Sequence, residues 1–170
     1  MAKIIILDTS FLIEYFAVPI DSSPERHEQA FECFCDLIDK NYDIYVPLSV
    51  VYELANHIID IKNPHKRTEL ANKFTELMQC AWADRTPFTI IPCTDDQSIE
   101  LTEINLNSLC NSYATHINEG LSLTDCTIID AAIKIKKSYK ERRRNWPAHI
   151  LTLHTALKAH EPDQIQAFGY

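Results

Sequence analysis

Three carboxylates are the residues of this chain whose placement could support chemistry. Asp8 directly follows a run of four apolar, mostly β-branched residues, which predicts a strand buried in a parallel sheet. Glu53 and Asp125 each lie about one turn into a segment that has the apolar spacing of a helix. Because open parallel sheets bind ligands beyond the carboxyl ends of their strands, we expect the three acids to meet there. Clustered carboxylates supply the hard oxygen ligands that suit Mg²⁺ or Mn²⁺.

Each acid taken singly also has an ordinary structural explanation. Asp8 could cap a helix, Glu53 could be a solvated helix residue, and Asp125 could favour a helix N-terminus through the helix dipole. A shared site is the stronger interpretation because all three acids stand beside apolar secondary structure and follow one another with plausible spacing. Their flanking sequences are Ile-Ile-Leu-Asp-Thr-Ser, Pro-Leu-Ser-Val-Val-Tyr-Glu-Leu and Leu-Ser-Leu-Thr-Asp-Cys-Thr-Ile-Ile-Asp-Ala-Ala.

Strands and helices are predicted to alternate along the chain, which favours an α/β fold around a mainly parallel sheet of four to five strands. With no internal repeat or linker, we expect one domain over residues 1–170. The apolar patterns predict strands at 4–7, 44–46, 88–91 and 149–153, with a fifth candidate at 165–168. Helices are predicted after Asp8, over 24–39, after a cap at Ser49, over 64–83, over 95–118, and after a cap at Ser122 or Thr124.

The composition excludes several classes of function. Only two glycines occur, whereas a P-loop or a dinucleotide-binding turn needs several close together. No stretch approaches the roughly 20 apolar residues of a membrane-spanning helix, and the apolar N-terminal run is too short for a secretion signal. We therefore expect a cytoplasmic protein with no membrane partner. The six cysteines show no CxxC spacing, which predicts buried, reduced thiols and argues against a zinc site.

One basic stretch interrupts an otherwise acidic chain, whose net charge is −8. That charge argues against a broad nucleic-acid-binding surface, although carboxylates that hold a metal would account for part of it. The stretch is interpreted either as the solvated end of a helix or as an arm that holds phosphates beside the active site. Its cations flank an aromatic ring, as in single-stranded nucleic-acid sites, which predicts RNA contacts from Lys137, Lys140, Arg142, Arg143, Arg144 and Trp146.

Three motifs of the chain resemble the first three acidic motifs of the PIN domains, a family that includes the VapC-like toxins of bacterial toxin–antitoxin pairs. They are Asp8-Thr9-Ser10, the helix that carries Glu53, and Leu123-Thr124-Asp125. The resemblance extends from Ile4 to about Leu157, with a basic insertion near 134–147 that the typical toxin lacks. It implies a three-layer PIN-like sandwich and a metal-dependent endoribonuclease that cleaves single-stranded or structured RNA. It also implies a homodimer and a small antitoxin, which the basic segment could equally contact.

The resemblance assigns roles to individual residues of this chain. Asp8 and Asp125 would ligate Mg²⁺ or Mn²⁺, and Glu53 would bind a second ion or orient the attacking water. The hydroxyls of Ser10, Thr124 and Thr152 would hold these ligands through hydrogen bonds. The metal would lower the pKa of a bound water and stabilise charge on the phosphate.

One position departs from the family pattern. The family carries a fourth acid after the fourth strand, in the pattern Thr-x-Asp, and here His154 stands in its place. A neutral imidazole can ligate Mn²⁺ or act on a water, but it supplies no negative charge to hold Mg²⁺. His154 is therefore either a catalytic residue or simply the residue that begins a helix. Asp130 does not replace the missing acid, because five positions beyond Asp125 lies well off the same helical face.

The missing acid leaves an alternative function open. A catalytically degenerate PIN domain would keep the fold and act as an RNA-binding or protein-interaction module. We place catalysis first because a disused pocket leaves its other acids free to change, and three of them remain here.

Overall fold

A four-stranded parallel sheet lies at the centre of the protein, whose structure, a computed structural model, describes residues 2–92 and 105–164. Its strands are β1 (Ile4–Leu7), β2 (Asp43–Pro47), β3 (Thr89–Ile91) and β4 (Ala148–Leu151). They are ordered β3-β2-β1-β4, and every neighbouring pair is parallel. The predicted α/β class and parallel sheet are therefore confirmed. The fifth candidate strand at 165–168 lies outside the described residues.

Helices flank the sheet and connect its strands. They are α1 (Thr9–Phe16), α2 (Pro24–Asp39), α3 (Leu48–Ile59), α4 (Pro64–Asp84), α5 (Leu106–His116), α6 (Leu123–Glu141) and α7 (Thr155–Lys158), with a 3₁₀ turn at Ile117–Glu119. The predicted helix over 95–118 is confirmed from Leu106 onward, and 95–104 lie outside the described residues. Asp8 and Ser122 occupy the predicted N-cap positions, each accepting a hydrogen bond from a backbone N–H of its helix.

Two predicted boundaries are wrong. Helix α3 begins at Leu48 with Pro47 at the cap position, so Ser49 is not the cap, and its hydroxyl instead bonds Thr127 on α6. Strand β4 ends at Leu151 rather than at residue 153. The next residues leave the sheet because the N–H groups of Leu153 and His154 are taken by side-chain hydroxyls.

Strand β1 is fully buried, as β4 is, since all four residues of each strand have 0% exposure. It pairs with β2 on one side and β4 on the other, and α6 packs across both β1 and β4. Burying an isoleucine or leucine fully contributes roughly 1.5–3 kcal/mol. The wholly apolar run therefore fixes the position of Asp8, which follows it directly.

The strand order determines where a ligand would bind. The connections from β1 to β2 and from β2 to β3 move toward one edge, and the connection from β3 to β4 crosses back past β1. Right-handed crossovers then put α1–α4 on one face and α5 and α6 on the other, which is compatible with three layers. The order reverses between β1 and β4. Open α/β sheets bind ligands at this reversal, beyond the carboxyl ends of the two strands.

The outer edge of β4 is covered by carboxylates that follow α7. Ile150 N donates to Glu161 Oε2 at 3.1 Å, and Ala148 N donates to Asp163 Oδ2 at 2.8 Å. Burial raises the pKa of Asp163, but the Lys136 ammonium and the Ala148 N–H together hold that pKa below its ordinary value. Burial lowers the pKa of His149, which lies on β4 3.4 Å from Glu161. These contacts occupy edge groups that could otherwise pair with another strand.

The cysteines are less buried than predicted. Cys126 is buried and Cys33 is half-buried, but Cys35, Cys80 and Cys110 are exposed, and Cys93 lies outside the described residues. The prediction failed because residues adjacent in sequence point about 100° apart on a helix, so apolar neighbours do not imply burial. No helix among the described residues combines the length and apolar character that a membrane span requires.

Candidate functional site

Asp8 lies at the carboxyl edge of the sheet, where the strand order reverses between β1 and β4. Its side chain accepts three hydrogen bonds, from Thr9 N to Oδ1 at 2.7 Å, and from Ser10 Oγ and Thr152 Oγ1 to Oδ2 at 2.6 and 2.7 Å. The residue is 5% exposed. Three donors thus hold a nearly buried carboxylate in one orientation, at the place where this topology binds ligands.

Ser10 and Thr152 are themselves fixed by the backbone that follows β4. Ser10 Oγ accepts from Leu153 N at 2.9 Å, and Thr152 Oγ1 accepts from His154 N at 2.9 Å. Each hydroxyl therefore has its proton available for Asp8. Ser10 and Thr152, both predicted to orient a ligand through hydrogen bonds, do contact Asp8, and Thr152 does so across 144 positions of sequence. Thr124, predicted to do the same, lies half-buried in α6, where its carbonyl oxygen accepts from Thr127.

Glu53 reaches this edge from α3. Its Oε2 accepts from Thr9 Oγ1 at 2.8 Å, so the residue next to Asp8 positions the second acid. Sequence reasoning missed Thr9, although it stands inside the Asp8-Thr9-Ser10 motif. The only signal was a hydroxyl adjacent to Asp8, and its partner lies 44 positions away.

Asp125 lies in the first turn of α6 and has a capping role there. Its Oδ2 accepts from Ser122 N at 2.7 Å while its own N–H donates to Ser122 Oγ at 3.1 Å. The same Oδ2 lies 3.9 Å from His154 Nδ1. His154 occupies the position that begins α7, but its side chain makes no capping hydrogen bond. The structure therefore places this imidazole toward Asp125.

Hydrogen bonds link Glu53, Asp8 and the backbone of His154, and Asp125 adjoins this network through a 3.9 Å approach to the His154 imidazole. The consecutive members of the network are Glu53, Thr9, Asp8, Thr152 and His154. The three carboxylates are nevertheless more open than a closed metal cage. Within the described ranges, the only group of three ligand atoms that all lie within 4.8 Å of one another is elsewhere, at residues 116, 119 and 160. An open carboxylate set suits Mg²⁺, which usually keeps several of its waters.

Among the described residues, only the His154 imidazole lies at ion-pair distance from an acid of the site. Among residues 2–92 and 105–164, no lysine or arginine forms an ion pair with Asp8, Glu53 or Asp125. Buried carboxylates are normally paired with a cationic side chain or with a metal. The hard oxygen donors and the missing cation together fit a divalent ion such as Mg²⁺ or Mn²⁺.

An open cleft of about 540 Å³ adjoins the network on the β4 side. Sequence reasoning did not single out Lys158, whose ammonium lies at this cleft and donates to Ile150 O and Glu161 Oε2, each at 2.9 Å. The cleft meets the network at Thr152, and none of Asp8, Glu53 and Asp125 lines it. Its lining residues are Thr152, Leu153, Thr155, Lys158, Ala159, Glu161 and Gln164.

The basic stretch lies far from the acids. Helix α6 continues through Glu141, so residues 134–141 form its last turns. Sixteen residues separate Asp125 from Glu141, which places them about 24 Å apart along the helix. Lys136 bonds the carbonyl oxygen of Trp146 at 2.6 Å, just before β4 begins at the opposite edge of the sheet. The basic stretch therefore lies at the far end of α6 from Asp125, and a role in holding phosphates stays a prediction.

The residues predicted to contact RNA differ in their surroundings. Lys137, Lys140, Arg142 and Arg143 are all exposed, and the Lys137 ammonium lies 3.8 Å from the Glu141 carboxylate. The half-buried Trp146 packs against Tyr139, with ring centroids 5.5 Å apart, and Arg144 lies over the indole at 5.3 Å. Part of the basic stretch thus has a packing role at the base of β4. Contact between these residues and RNA stays a prediction.

Sequence comparisons found no relative of this chain. No protein-family model matches the chain, and no curated protein matches it. The function is therefore argued from the geometry of the carboxylate network.

Proposed function

We propose that the protein is a PIN-type, metal-dependent endoribonuclease, in which Asp8 and Asp125 hold Mg²⁺ or Mn²⁺. Glu53 holds a second ion or orients the attacking water. The observation that carries the proposal is Asp8, a carboxylate 5% exposed that accepts three hydrogen bonds but has no cationic partner among the described residues. It lies where this strand order binds ligands.

Each residue of the network has a defined task in this proposal. Ser10 and Thr152 hold Asp8 in one orientation, and the Thr9 hydroxyl directs Glu53 toward the same edge. From there Glu53 would bind the second ion or orient the water that attacks the phosphodiester. His154, which faces Asp125, stands where the family carries its fourth acid. Because an imidazole is a better ligand for Mn²⁺ than for Mg²⁺, it favours Mn²⁺ at the site. A bound divalent ion supplies the activation of water and the stabilisation of phosphate charge.

The proposal extends to partners. A cytoplasmic toxin of a toxin–antitoxin pair would act on RNA, form a homodimer and be neutralised by a small protein. Exposed apolar side chains support protein partners, since Tyr52 and Ile59 lie seven positions apart on α3, and Phe31 and Ile38 are spaced likewise on α2. Residues seven apart share a helical face, and exposed apolar faces are typical of interaction surfaces.

Cleavage of a mixed pool of single-stranded and hairpin RNA tests the proposed function. We expect cleavage with Mn²⁺, weaker cleavage with Mg²⁺, and none with EDTA, because the acids alone cannot activate water. A DNA pool of the same sequences is the control for substrate class. Cleavage that persists in EDTA would contradict the metal-dependent mechanism.

His154 favours the second candidate function, a degenerate module that binds RNA or protein without cutting. Folded protein that retains RNA on a filter but cleaves none of it with any metal would support this module over the nuclease. A reduced rate that is restored by Mn²⁺ would instead support catalysis with an imidazole in place of the fourth acid.

Replacing Thr9 by valine tests how Glu53 is positioned. Valine keeps the β-branched shape and the backbone N–H to Asp8 but removes the hydroxyl that bonds Glu53. We expect cleavage to fall about 10–100-fold, as when other partners of ligating groups are lost. The free energy of unfolding should fall by only about 1 kcal/mol, measured by urea denaturation. Thr75→Val on α4, whose hydroxyl bonds only Ala71 O, is the matched control. Unchanged cleavage in Thr9→Val would show that Glu53 needs no such support.

A further inference from the structure

A second group of potential metal ligands lies outside the carboxylate network. His116 ends α5, Glu119 lies in the 3₁₀ turn that follows, and His160 follows α7. His116 Nδ1 lies 2.9 Å from Glu119 Oε1, and His160 Nε2 lies 2.7 Å from Glu119 Oε2. The two imidazole rings meet edge to face, with centroids 4.6 Å apart. The two imidazoles therefore meet the two oxygens of one carboxylate, and ligand atoms of all three residues lie within 4.8 Å of one another.

Local backbone geometry brings these three side chains together. His116 and Glu119 are three positions apart, so they fall on the same side of the helical turn. Gly120 ends that turn with φ +78°, a conformation that suits glycine. His160 is held by its backbone N–H, which donates to Leu157 O at 3.0 Å. The cluster thus joins the α5–α6 connection to the chain that follows α7.

The geometry points to a binding site for a divalent transition-metal cation, formed by His116 Nδ1, the Glu119 carboxylate and His160 Nε2. Imidazole and carboxylate donors fit Zn²⁺ best among the common ions, whereas Mg²⁺ prefers oxygen ligands alone. Three protein ligands leave the fourth tetrahedral position for water. Cysteine spacing could not reveal this site because none of its ligands is a cysteine.

The distances are close to those that zinc requires. Ligand atoms of a tetrahedral ion with bonds near 2.1 Å lie about 3.4 Å apart. In this structure the carboxylate oxygens of Glu119 lie 2.7 Å from His160 Nε2 and 2.9 Å from His116 Nδ1. Ligand atoms of the three residues all lie within 4.8 Å of one another. Outward shifts of less than about 1 Å would therefore admit the ion. Such shifts can be made toward solvent, because the side chains of His116, His160 and Glu119 are 20%, 26% and 46% exposed.

This inference does not rest on the proposed ribonuclease. None of the three residues takes part in the network around Asp8, and the ligand chemistry selects a different ion. A bound ion would cross-link the connection before Asp125 to the chain after His154 and Lys158. We therefore expect Zn²⁺ to raise the thermal midpoint of unfolding, because a ligand that binds only the folded state stabilises it.

Calorimetric titration of the EDTA-dialysed full chain with Zn²⁺ tests the site. We expect one ion per chain, with affinity at least about tenfold weaker in His116→Ala and in His160→Ala. His65→Ala, an exposed histidine on α4, is the matched control and should bind as the wild type does. Zn²⁺ should raise the thermal midpoint of the wild type and of His65→Ala, but not of the His116→Ala, His160→Ala double variant.

Three results would overturn the site. The wild type would bind no Zn²⁺, or both single variants would bind it with wild-type affinity, or binding would be lost in His154→Ala and retained in His116→Ala. The last result would place the ion at Asp125 instead. Circular dichroism in EDTA establishes that each variant is folded. Glu119→Gln, which keeps the shape of the side chain and removes its charge, gives the same comparison if a histidine variant fails to fold.

Discussion

Asp8→Asn is expected to abolish metal-dependent RNA cleavage, with a loss of at least about 100-fold, while leaving the protein folded. Asparagine keeps the size of the side chain and the oxygen that accepts from Thr9 N. It removes the negative charge that would hold the cation at the end of β1. Cleavage of labelled RNA with Mn²⁺ and with Mg²⁺ measures the loss, and a rate that more metal does not restore would indicate a role beyond affinity.

The stability of this variant can be predicted from its hydrogen bonds. The new amide would face the hydroxyls of Ser10 and Thr152, which now both donate to Asp8 Oδ2. Those hydroxyls must rotate, and each already accepts a backbone N–H, so we expect a loss of about 1–3 kcal/mol. A domain of ordinary stability survives a loss of this size.

Asp130→Asn is the matched control for Asp8→Asn. Asp130 lies on α6 like Asp125, but its carboxylate pairs with Lys134 at 2.8 Å and takes no part in the network. Partly exposed pairs contribute about 0–1 kcal/mol, so both cleavage and stability should stay close to those of the wild type. Folded Asp8→Asn protein that cleaves RNA as fast as Asp130→Asn does would refute the assignment of Asp8.

Phe11→Ala is expected to lower the free energy of unfolding by about 3–5 kcal/mol. Phe11 has 0% exposure and contacts Phe34 on α2, with ring centroids 6.4 Å apart. Truncation to alanine deletes the ring and its contacts in the core, and it leaves a cavity at the interface between α1 and α2. Denaturation by urea, with the slope of the transition held in common with the wild type, measures the loss.

Phe31→Ala is the matched control for this substitution. Phe31 is 50% exposed and stacks on Tyr15 with centroids 6.2 Å apart, so it has solvent on one side. We expect a loss of about 0.5–1.5 kcal/mol, because the ring contacts with Tyr15 and His27 that are removed lie at the surface. Equal losses of unfolding free energy in the two variants would show that the buried ring of Phe11, between α1 and α2, contributes no more to stability than the half-exposed ring of Phe31. Helix α1 begins at Thr9, so loosening it should also weaken the hold on Asp8.

The sequence by itself determined the elements and the first acid of the site. The apolar run before Asp8 predicts a buried strand, and apolar spacing predicts α2. Of the five apolar residues in that spacing, three are buried and two are exposed: Ala30, Phe34 and Leu37, and Phe31 and Ile38. These features are local, because burial periodicity and helix capping depend on residues within a few positions of one another. For the same reason, Asp8 and Ser122 could be assigned to helix N-termini before any contact was known.

Only the tertiary structure decided which side chains meet. It joined Thr152 to Asp8, Thr9 to Glu53, and His160 to Glu119, and it turned the hydroxyl of Ser49 toward Thr127 instead of a helix end. It also separated the basic end of α6 from Asp125 by the length of the helix. Periodicity reports which face of an element is buried, but not which other element covers that face. Strand order and helix length set those long-range distances, and they arise only when the whole chain packs.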